Sequence, residues 1–212
     1  MIKVLSFDVD GTLVDGRFAD LFWNEGMPQL YAKKEGISFE EARGYLQERY
    51  DEIGEGDLRW YLPEYWYNEL GIEGRPEDLV KEYASEVRIF PEVQNVLERL
   101  SDRYMLVASS NAPRVFLEES LRELRRYFKH VFSSTTDFRM VRKIPDFYVN
   151  LFDILKIGPE EIAHVGDHFE FDYEVPRKAG MTSYFLDRDG KRDGEHVLQN
   201  LEEFEERFDS TF

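Results

Sequence analysis

The sequence predicts an α/β protein in which an α-helical domain is inserted into a doubly wound, parallel β-sheet. Short apolar runs typical of buried strands alternate with helical patterns through residues 90–208, and such alternation gives a parallel sheet with helices on both faces. Residues 16–88, in contrast, place apolar residues at helical spacing and show no strand pattern. We therefore expect a core domain of residues 1–15 and 89–212 and a helical domain of residues 16–88.

Two carboxylates follow the first predicted strand. The apolar run of residues 2–7 leads to Asp8, and Asp10 and Gly11 come directly after it. Gly11 indicates a sharp turn, and open α/β sheets bind ligands in the crevice at the carboxyl ends of their strands. Because two carboxylates in one crevice repel each other, we expect a positive charge between them. A hard cation such as Mg2+, which prefers oxygen ligands, is the natural candidate.

The helical insertion contains a clear helix start and an unusual aromatic run. Ser38 and Glu41 have the spacing of a capping box, and glycines divide the region into about four helices. Residues 60–67 are rich in Trp and Tyr, which indicates either the core of the helical domain or rings that line a substrate pocket. Arg17 and Trp23 are further candidates for that pocket.

The second strand of the core ends in small polar residues. Residues 104–108 predict this strand, Ser109, Ser110 and Asn111 follow it, and the next helix is expected at residues 115–124. A hydroxyl at a strand tip, followed by the free N–H groups that open a helix, is a phosphate-binding arrangement. The alternative interpretation is an ordinary serine at a helix N-cap.

Two further strands lead to charged residues. Residues 130–133 predict a short strand, and Lys143 comes after it, before a helix expected at residues 147–157. Residues 162–166 predict a strand that ends at Asp167. Because the carboxyl ends of parallel strands lie along one edge of the sheet, we expect these charged residues to converge with the first two loops.

The chain closes with one more strand and a helix. The strand is expected at residues 182–186, a polar loop at 187–194 and the terminal helix at 197–208. Two histidines lie near the preceding strand. His164 is inside it and is expected in the core, whereas His168 follows it and is expected to face either solvent or substrate.

Together these loops resemble the four motifs of the haloacid dehalogenase-like hydrolase superfamily in its phosphatase form. The motifs occur in the family's order: Asp-x-Asp-Gly-Thr at residues 8–12, Ser110 followed by Asn111, Lys143 followed by Pro145 and Asp146, and Gly166-Asp167 with Asp172 a few positions on. The resemblance covers nearly the whole chain outside the insertion. It implies a Rossmann-like core with an inserted helical cap that closes over the active site.

The resemblance also implies a role for the matched residues. Asp8 would be the nucleophile, and Asp10 would be the general acid and base. Ser110, Asn111 and Lys143 would bind the phosphate.

A Mg2+ ion would be held by Asp8, Asp167 and the carbonyl of Asp10, and Asp172 would hold a metal-bound water or orient Lys143.

The motifs leave three alternatives and show two departures from the family pattern. Ser109, Arg142 and Glu170 are alternatives to Ser110, Lys143 and Asp172, each offset from the family register. Ile144 separates Lys143 from Pro145, where most relatives have Lys-Pro-Asp-Pro, and Glu92 follows Pro91 where relatives usually have Gly. The second departure is expected to affect a turn and to leave the chemistry unchanged.

Charge and composition exclude several classes of partner. The chain has 212 residues, a formal net charge of −17 and no cysteine. The charge argues against binding to nucleic acid or to an anionic membrane, and without cysteine there are no disulfides and no thiolate chemistry. No run approaches the roughly 20 apolar residues of a membrane span, and the N-terminus lacks a signal pattern. We expect a cytoplasmic protein whose partner is a small phosphate ester.

The predicted function is a Mg2+-dependent phosphatase that hydrolyses a small phosphate monoester through an aspartyl-phosphate. Three alternatives remain open at this point. A phosphomutase would use the same residues, and a 2-haloacid dehalogenase would use Asp8 but would need neither an acid/base at Asp10 nor a metal. A non-catalytic binding protein would use the aromatic insertion as its partner surface.

Overall fold

The central sheet contains six parallel strands in the order β3-β2-β1-β4-β5-β6. The structure, a computed structural model, describes residues 1–209. The strands are β1 (Val4–Phe7), β2 (Met105–Ser110), β3 (Phe128–Ser133), β4 (Ile162–Gly166), β5 (Thr182–Leu186) and β6 (Val197–Leu198). The predicted α/β class with a parallel sheet is therefore confirmed.

Within the described residues, six α-helices belong to the insertion that follows β1, and six more belong to the core. The first group is α1 (Arg17–Leu21), α2 (Met27–Glu35), α3 (Phe39–Ile53), α4 (Leu58–Tyr61), α5 (Pro63–Glu69) and α6 (Pro76–Glu82). The second group is α7 (Val93–Ser101), α8 (Arg114–Ser120), α9 (Ser134–Asp137), α10 (Pro145–Leu155), α11 (Val175–Lys178) and α12 (Leu201–Asp209). No helix in this part of the chain is long and apolar enough to cross a membrane.

Helices cover both faces of the sheet, as a doubly wound fold requires. On one face, Phe7 of β1 lies 5.4 Å from the ring of Phe204 in α12, in the same apolar cluster as Val96 of α7. On the other face, Val107 of β2 belongs to a cluster with Phe147 of α10. Each strand of the centre is therefore buried on both sides, which explains its nearly continuous apolar sequence.

The insertion has an apolar cluster of its own. Trp66 of α5 is fully buried in it, together with Phe18 and Phe22. The cluster also reaches the core, because the ring of Phe116 in α8 lies 4.9 Å from that of Phe22. Entry and exit of the insertion lie side by side, since the amide of Asp15 donates to the carbonyl of Arg88 at 3.0 Å. This hydrogen bond between the two ends of the insertion supports our proposal that the domain boundaries fall near residues 15 and 89.

Several local predictions are confirmed. Ser38 caps α3 through the expected capping box with Glu41. The strands β4 and β5 have the predicted bounds.

Three helix predictions are wrong at their ends. The helix expected at 115–124 ends at Ser120, and the helix expected at 147–157 starts at Pro145, whose fixed φ suits a first helical turn. The terminal helix expected from residue 197 starts at Leu201. Val197 and Leu198 instead pair with β5 and add a strand to the sheet edge.

The turn after β1 depends on a glycine. Gly11 has a φ of +78°, and its amide donates to the carbonyl of Val14 at 2.7 Å. A Cβ on Gly11 would lie 2.0 Å from Oδ2 of Asp167 in the loop after β4. Only glycine therefore allows the loops after β1 and β4 to approach so closely. Because β1 lies between β2 and β4, this approach occurs at the topological switch point of the sheet.

We predict that Gly11→Ala lowers the free energy of unfolding more than Gly36→Ala does. Gly36 has a similar φ of +68°, but no atom lies within 4 Å of its added Cβ. Gly36→Ala should therefore cost about 1 kcal/mol of backbone strain, and Gly11→Ala about 1–3 kcal/mol more from the steric clash. Urea unfolding of both variants measures the difference. Equal losses would show that Asp167 moves aside freely and that the close approach is not a constraint.

Candidate active site

Asp8 lies at the carboxyl end of β1, in the centre of the sheet edge. Its amide donates to the carbonyl of Val165 in β4 at 2.9 Å, which extends the strand pairing to this residue. Its side chain is 9% exposed, and the hydroxyl of Thr12 donates to Oδ2 at 3.4 Å. The carboxylate is therefore held in a defined position by its own loop.

The ammonium group of Lys143 is the only positive charge in direct contact with Asp8 among the described residues. It pairs with Oδ1 of Asp8, pairs with Oδ1 of Asp172 at 2.5 Å, and donates to the carbonyl of Ser109 at 3.0 Å. Its side chain is 1% exposed. Burial alone would lower the pKa of Lys143, but the charges of Asp172 and Asp8 outweigh it and raise that pKa. The group therefore carries its full charge at neutral pH.

Asn111 positions the backbone of Lys143. Its side-chain oxygen accepts a hydrogen bond from the amide of Lys143 at 2.8 Å and one from the hydroxyl of Ser134 at 3.3 Å. Asn111 was predicted to bind phosphate. Its side-chain oxygen has a further role, because it links the loop after β2 to the loop that carries Lys143.

Arg142, the alternative to Lys143, lies in a different environment. Its guanidinium pairs with Glu55 of the insertion at 2.7 Å and lies 5.0 Å from the ring centre of Phe171. The extra residue Ile144 therefore does not displace Lys143 from the acidic residues. Arg142 bridges the core and the insertion instead.

The two serines at the end of β2 have different surroundings. Ser109 is fully buried, and its hydroxyl lies 3.0 Å from that of Ser6. The oxygen of Ser110 accepts a hydrogen bond from the amide of Ala112 at 3.0 Å, which leaves its hydroxyl proton available. Ser110 is therefore better placed than Ser109 to donate to a phosphate.

Asp172 supports Lys143 from the side opposite Asp8. Besides the lysine, its carboxylate contacts His164 at 3.0 Å and accepts from the amide of His168 at 3.1 Å. Burial would raise the pKa of Asp172, but Lys143 and His164 outweigh it and hold that pKa well below its usual range. A Cβ on Gly166 would lie 2.4 Å from Cγ of Asp172, so a glycine is required here as well. These contacts favour the expected role in orienting Lys143.

Glu170, the alternative to Asp172, is exposed. It lies in the π-helical turn Phe169–Glu174 and is not part of the acidic cluster described below.

His164 is the residue of this site that sequence reasoning missed. It is fully buried, as expected for a core histidine, but Nδ1 lies 2.8 Å from the hydroxyl of Ser6. Burial lowers the pKa of His164 despite the neighbouring Asp172, which favours the neutral ring. A row of polar side chains, Ser109, Ser6 and His164, therefore crosses three apolar strands and ends at Asp172. Polar residues inside apolar strands were the signal that could have revealed it.

Three carboxylates form an acidic cluster. Asp8, Asp167 and Asp172 each offer an oxygen, and these atoms lie within 4.8 Å of one another. Asp167 is itself exposed, and partial desolvation by the surrounding loops, followed by the charge of Asp172, raises its pKa to about 6. Burial also raises the pKa of Asp8, to which Asp172 and Asp167 add, although Lys143 opposes the shift. The cluster thus has more negative charge than one lysine neutralises, and an all-oxygen donor set of this kind fits a hard divalent cation.

Asp10 is outside this cluster but close to it. It is half-buried, and burial, followed by the charge of Asp167, raises its pKa to about 6, while Lys143 acts in the opposite direction. A carboxyl group with such a pKa can be protonated or ionised near neutral pH, which suits a group that gives and takes a proton.

Arg188 and Glu92 form an ion pair that the sequence did not predict, and Arg188 also contacts the turn after β1. Arg188 follows β5 and donates to the carbonyl of Thr12 at 2.7 Å. Its guanidinium pairs with Glu92 at 2.7 Å and lies 3.7 Å from the ring centre of Phe90. Glu92, the departure from the family pattern, therefore does more than shape its own turn.

The side chains of the remaining candidates have other surroundings. Arg17 pairs with Glu86 at 3.1 Å, and Trp23 contacts rings within the insertion. Of the aromatic run at 60–67, Trp66 and Tyr67 are buried. His168 is exposed and accepts a hydrogen bond from Phe171.

Comparison with known proteins agrees with this geometry. The family model described as haloacid dehalogenase-like hydrolase matches residues 2–180. A GMP/IMP nucleotidase of Escherichia coli (strain K12) is 32% identical over 72 residues, which are 34% of this chain and 32% of that protein. The chain thus matches about a third of the length of that relative. Glyceraldehyde 3-phosphate phosphatase of Pyrococcus furiosus is 27% identical over 220 residues, which are 94% of this chain and 90% of that protein.

Two solved structures show the same fold over nearly the whole chain. A HAD phosphatase from Thermococcus onnurineus has a TM-score of 0.82 and 24% identity and covers 98% of both chains. A 2-haloacid dehalogenase from Pseudomonas syringae has a TM-score of 0.69 and 22% identity and covers 99% of both chains. With the family match over most of its length, the chain belongs to the haloacid dehalogenase-like hydrolases.

Proposed function

We propose that this hydrolase is a Mg2+-dependent phosphatase that acts on a small phosphate monoester through a phosphoryl group carried by Asp8. The observation that carries the proposal is that the Asp8 carboxylate pairs with Lys143 and belongs to the acidic cluster, with Asp10 two residues further on. The curated relatives whose names describe a nucleotidase and a phosphatase support the same reaction class.

In the first step, a carboxylate oxygen of Asp8 attacks phosphorus and the bond to the ester oxygen breaks. Asp10 donates its proton to the leaving alkoxide. In the second step, Asp10 takes a proton from water, the water oxygen attacks phosphorus, and the acyl-phosphate bond to Asp8 breaks. Inorganic phosphate leaves, and both carboxyl groups return to their starting states.

Positive and dipolar groups stabilise the charge that spreads over the phosphoryl oxygens. Lys143 supplies a fixed ammonium group beside Asp8, and the Ser110 hydroxyl and backbone N–H groups of the loops supply donors. The residues suited to hold Mg2+ are Asp8, Asp167 and the carbonyl of Asp10. When bound, the ion offsets the repulsion between the substrate and the nucleophile. Asp172 is committed to Lys143 and His164 and acts by positioning the lysine.

Asp10 favours a phosphatase over a haloacid dehalogenase, although a dehalogenase shares the fold. Dehalogenation needs no proton for its leaving halide, so a half-buried carboxyl with a pKa of about 6 would have no leaving group to protonate there. A phosphatase uses such a group in both steps.

We predict that Mg2+-dependent hydrolysis appears in a screen of phosphate monoesters and that Asp8→Asn reduces kcat to below about one-thousandth. EDTA should abolish turnover in the wild-type protein. Asp189→Asn, at an exposed position, is the control and should leave kcat unchanged. Turnover that survives EDTA or Asp8→Asn contradicts the proposal. Transfer of the phosphoryl group to a second hydroxyl of a sugar phosphate would indicate a mutase, and turnover of 2-chloropropionate alone would indicate a dehalogenase.

We also predict opposite effects of Asp167→Asn on thermal stability with and without Mg2+. Without the ion, removing one of three crowded carboxylates should raise Tm by about 2–4 °C for each kcal/mol of repulsion relieved. With Mg2+ present, the wild-type protein should gain stability from the bound ion and the variant should not. Asp10→Asn is the matched control. It keeps the backbone carbonyl of residue 10, so Mg2+ should still raise its Tm. An equal rise in Tm on addition of Mg2+ in the wild-type protein and both variants would show that the ion binds elsewhere.

A further inference from the structure

The turn after β1 carries Asp10 and is held by contacts on both sides of that residue. Before it, the amide of Asp8 still takes part in the pairing with β4. After it, the carbonyl of Leu13 accepts a hydrogen bond from the amide of Phe90 at 3.1 Å. Thr12 lies between these two points and is fully buried, so its carbonyl also needs a hydrogen-bond partner.

Arg188 is the partner of the Thr12 carbonyl. It follows β5, and its guanidinium donates to this carbonyl at 2.7 Å. Glu92 pairs with the same guanidinium at 2.7 Å, which lies 3.7 Å from the ring centre of Phe90. The side chains of Arg188 and Glu92 are 19% and 13% exposed. One guanidinium therefore joins the turn to the segment that follows the insertion and to the end of β5.

Stability alone does not explain an arginine at this position. The Nε atom of Arg188 is buried and has no hydrogen-bond partner among the described residues, and an unsatisfied buried donor lowers stability. Removing an ion pair from water is also costly, so apolar residues of similar volume are often as stable. A methionine could pack on Phe90 without either cost, but it could not donate to the carbonyl of Thr12. The arginine is therefore better explained by its contact with the turn.

The turn that Arg188 contacts carries both of the carboxyl groups proposed to react. The hydroxyl of Thr12 donates to Oδ2 of Asp8 at 3.4 Å. Gly11 alone separates Asp10 from Thr12, and glycine has the greatest conformational freedom of any residue. A shift of the Thr12 carbonyl would therefore pass through a single flexible residue to Asp10.

We infer that Arg188, held in place by Glu92, is a positioning residue for Asp10: by fixing the Thr12 carbonyl, it keeps the Asp10 carboxyl where the leaving oxygen receives its proton. This inference rests on the proposed phosphatase function, and it adds two residues outside the four motifs. Asp8 is held independently by Lys143. Loss of the arginine should therefore impair protonation of the leaving group more than attack on phosphorus.

Two aryl phosphates of similar size distinguish these effects. 4-Nitrophenolate leaves without a proton, whereas phenolate resembles the side chain of tyrosine, with a pKa of about 10, and gains from a proton donor. With saturating Mg2+, Arg188→Gln should lower kcat/KM for phenyl phosphate by about 10- to 100-fold, the effect of a misplaced catalytic group. For 4-nitrophenyl phosphate, which does not need the acid, the loss should stay below about 3-fold. The ratio of kcat/KM for 4-nitrophenyl phosphate to that for phenyl phosphate should thus rise.

Variants of the ion pair test whether both residues act through one contact. Glu92→Gln should raise the same ratio less than Arg188→Gln does, because the amide still accepts a hydrogen bond. The double variant should have a ratio no larger than that of Arg188→Gln alone, and additive effects would contradict the inference. Arg188→Lys should also raise the ratio, because an ammonium group lacks the planar fork that reaches Glu92 and Thr12 together. It replaces Arg188→Gln in the test if that variant does not fold.

Arg99→Gln is the matched control for the loss of an ion pair. The guanidinium of Arg99 in α7 donates twice to the carboxylate of Glu205 in α12, at 2.8 and 2.5 Å. Its loss should lower Tm but leave the ratio between the two substrates unchanged. A purely structural role of Arg188 would give the same pattern. Retained hydrolysis of 4-nitrophenyl phosphate by Arg188→Gln shows that this variant is folded.

The possible failures are distinguishable. If the wild-type protein hydrolyses neither aryl phosphate, or if Asp10→Asn leaves the ratio unchanged, the proposed function or its acid is wrong and the inference falls with it. If Asp10→Asn raises the ratio but Arg188→Gln lowers kcat/KM equally for both substrates, or changes neither, only the positioning role of Arg188 is wrong.

Discussion

The buried ammonium group of Lys143 between Asp8 and Asp172 is the interaction on which the site depends. A charge removed from water in this way is tolerated only when all its hydrogen-bonding positions have partners, and Lys143 has two carboxylates and the carbonyl of Ser109. The arrangement joins the loops after β1, β2 and β4 with the loop before α10. It also leaves net negative charge at the cluster of Asp8, Asp167 and Asp172, and this charge favours the binding of a cation.

The fold brings these groups together through close backbone approach and a polar row inside the sheet. Gly11 and Gly166 remove the side chains that would otherwise collide with Asp167 and Asp172. Behind Asp172, His164 and Ser6 continue the hydrogen-bonded row into the sheet. Asp8 and Asp167 are therefore positioned directly at the ends of β1 and β4.

The sequence predicted the fold class, the order of most elements and the convergence of the four loops, because apolar periodicity and motif spacing are local signals. It did not predict which contacts each polar residue makes. It did not reveal that the side-chain oxygen of Asn111 accepts a hydrogen bond from the Lys143 amide, or that Glu92 pairs with Arg188 across the fold. His164 looked like core because a single residue does not reveal its partners. The short strand β6 was missed because two residues are too few to show a strand pattern; they are assigned to the sheet by their pairing with β5.

The central claim is that Asp8 becomes covalently phosphorylated. Mass spectrometry of acid-quenched protein tests it most directly, with 4-nitrophenyl phosphate, whose leaving group needs no proton from Asp10, and the Asp10→Asn variant, which lacks the base for the second step. We predict one added phosphoryl group on the peptide that contains Asp8, and none on that peptide in Asp8→Asn. A phosphoryl group on any other residue, or a burst of released alcohol from unmodified protein, would contradict the account.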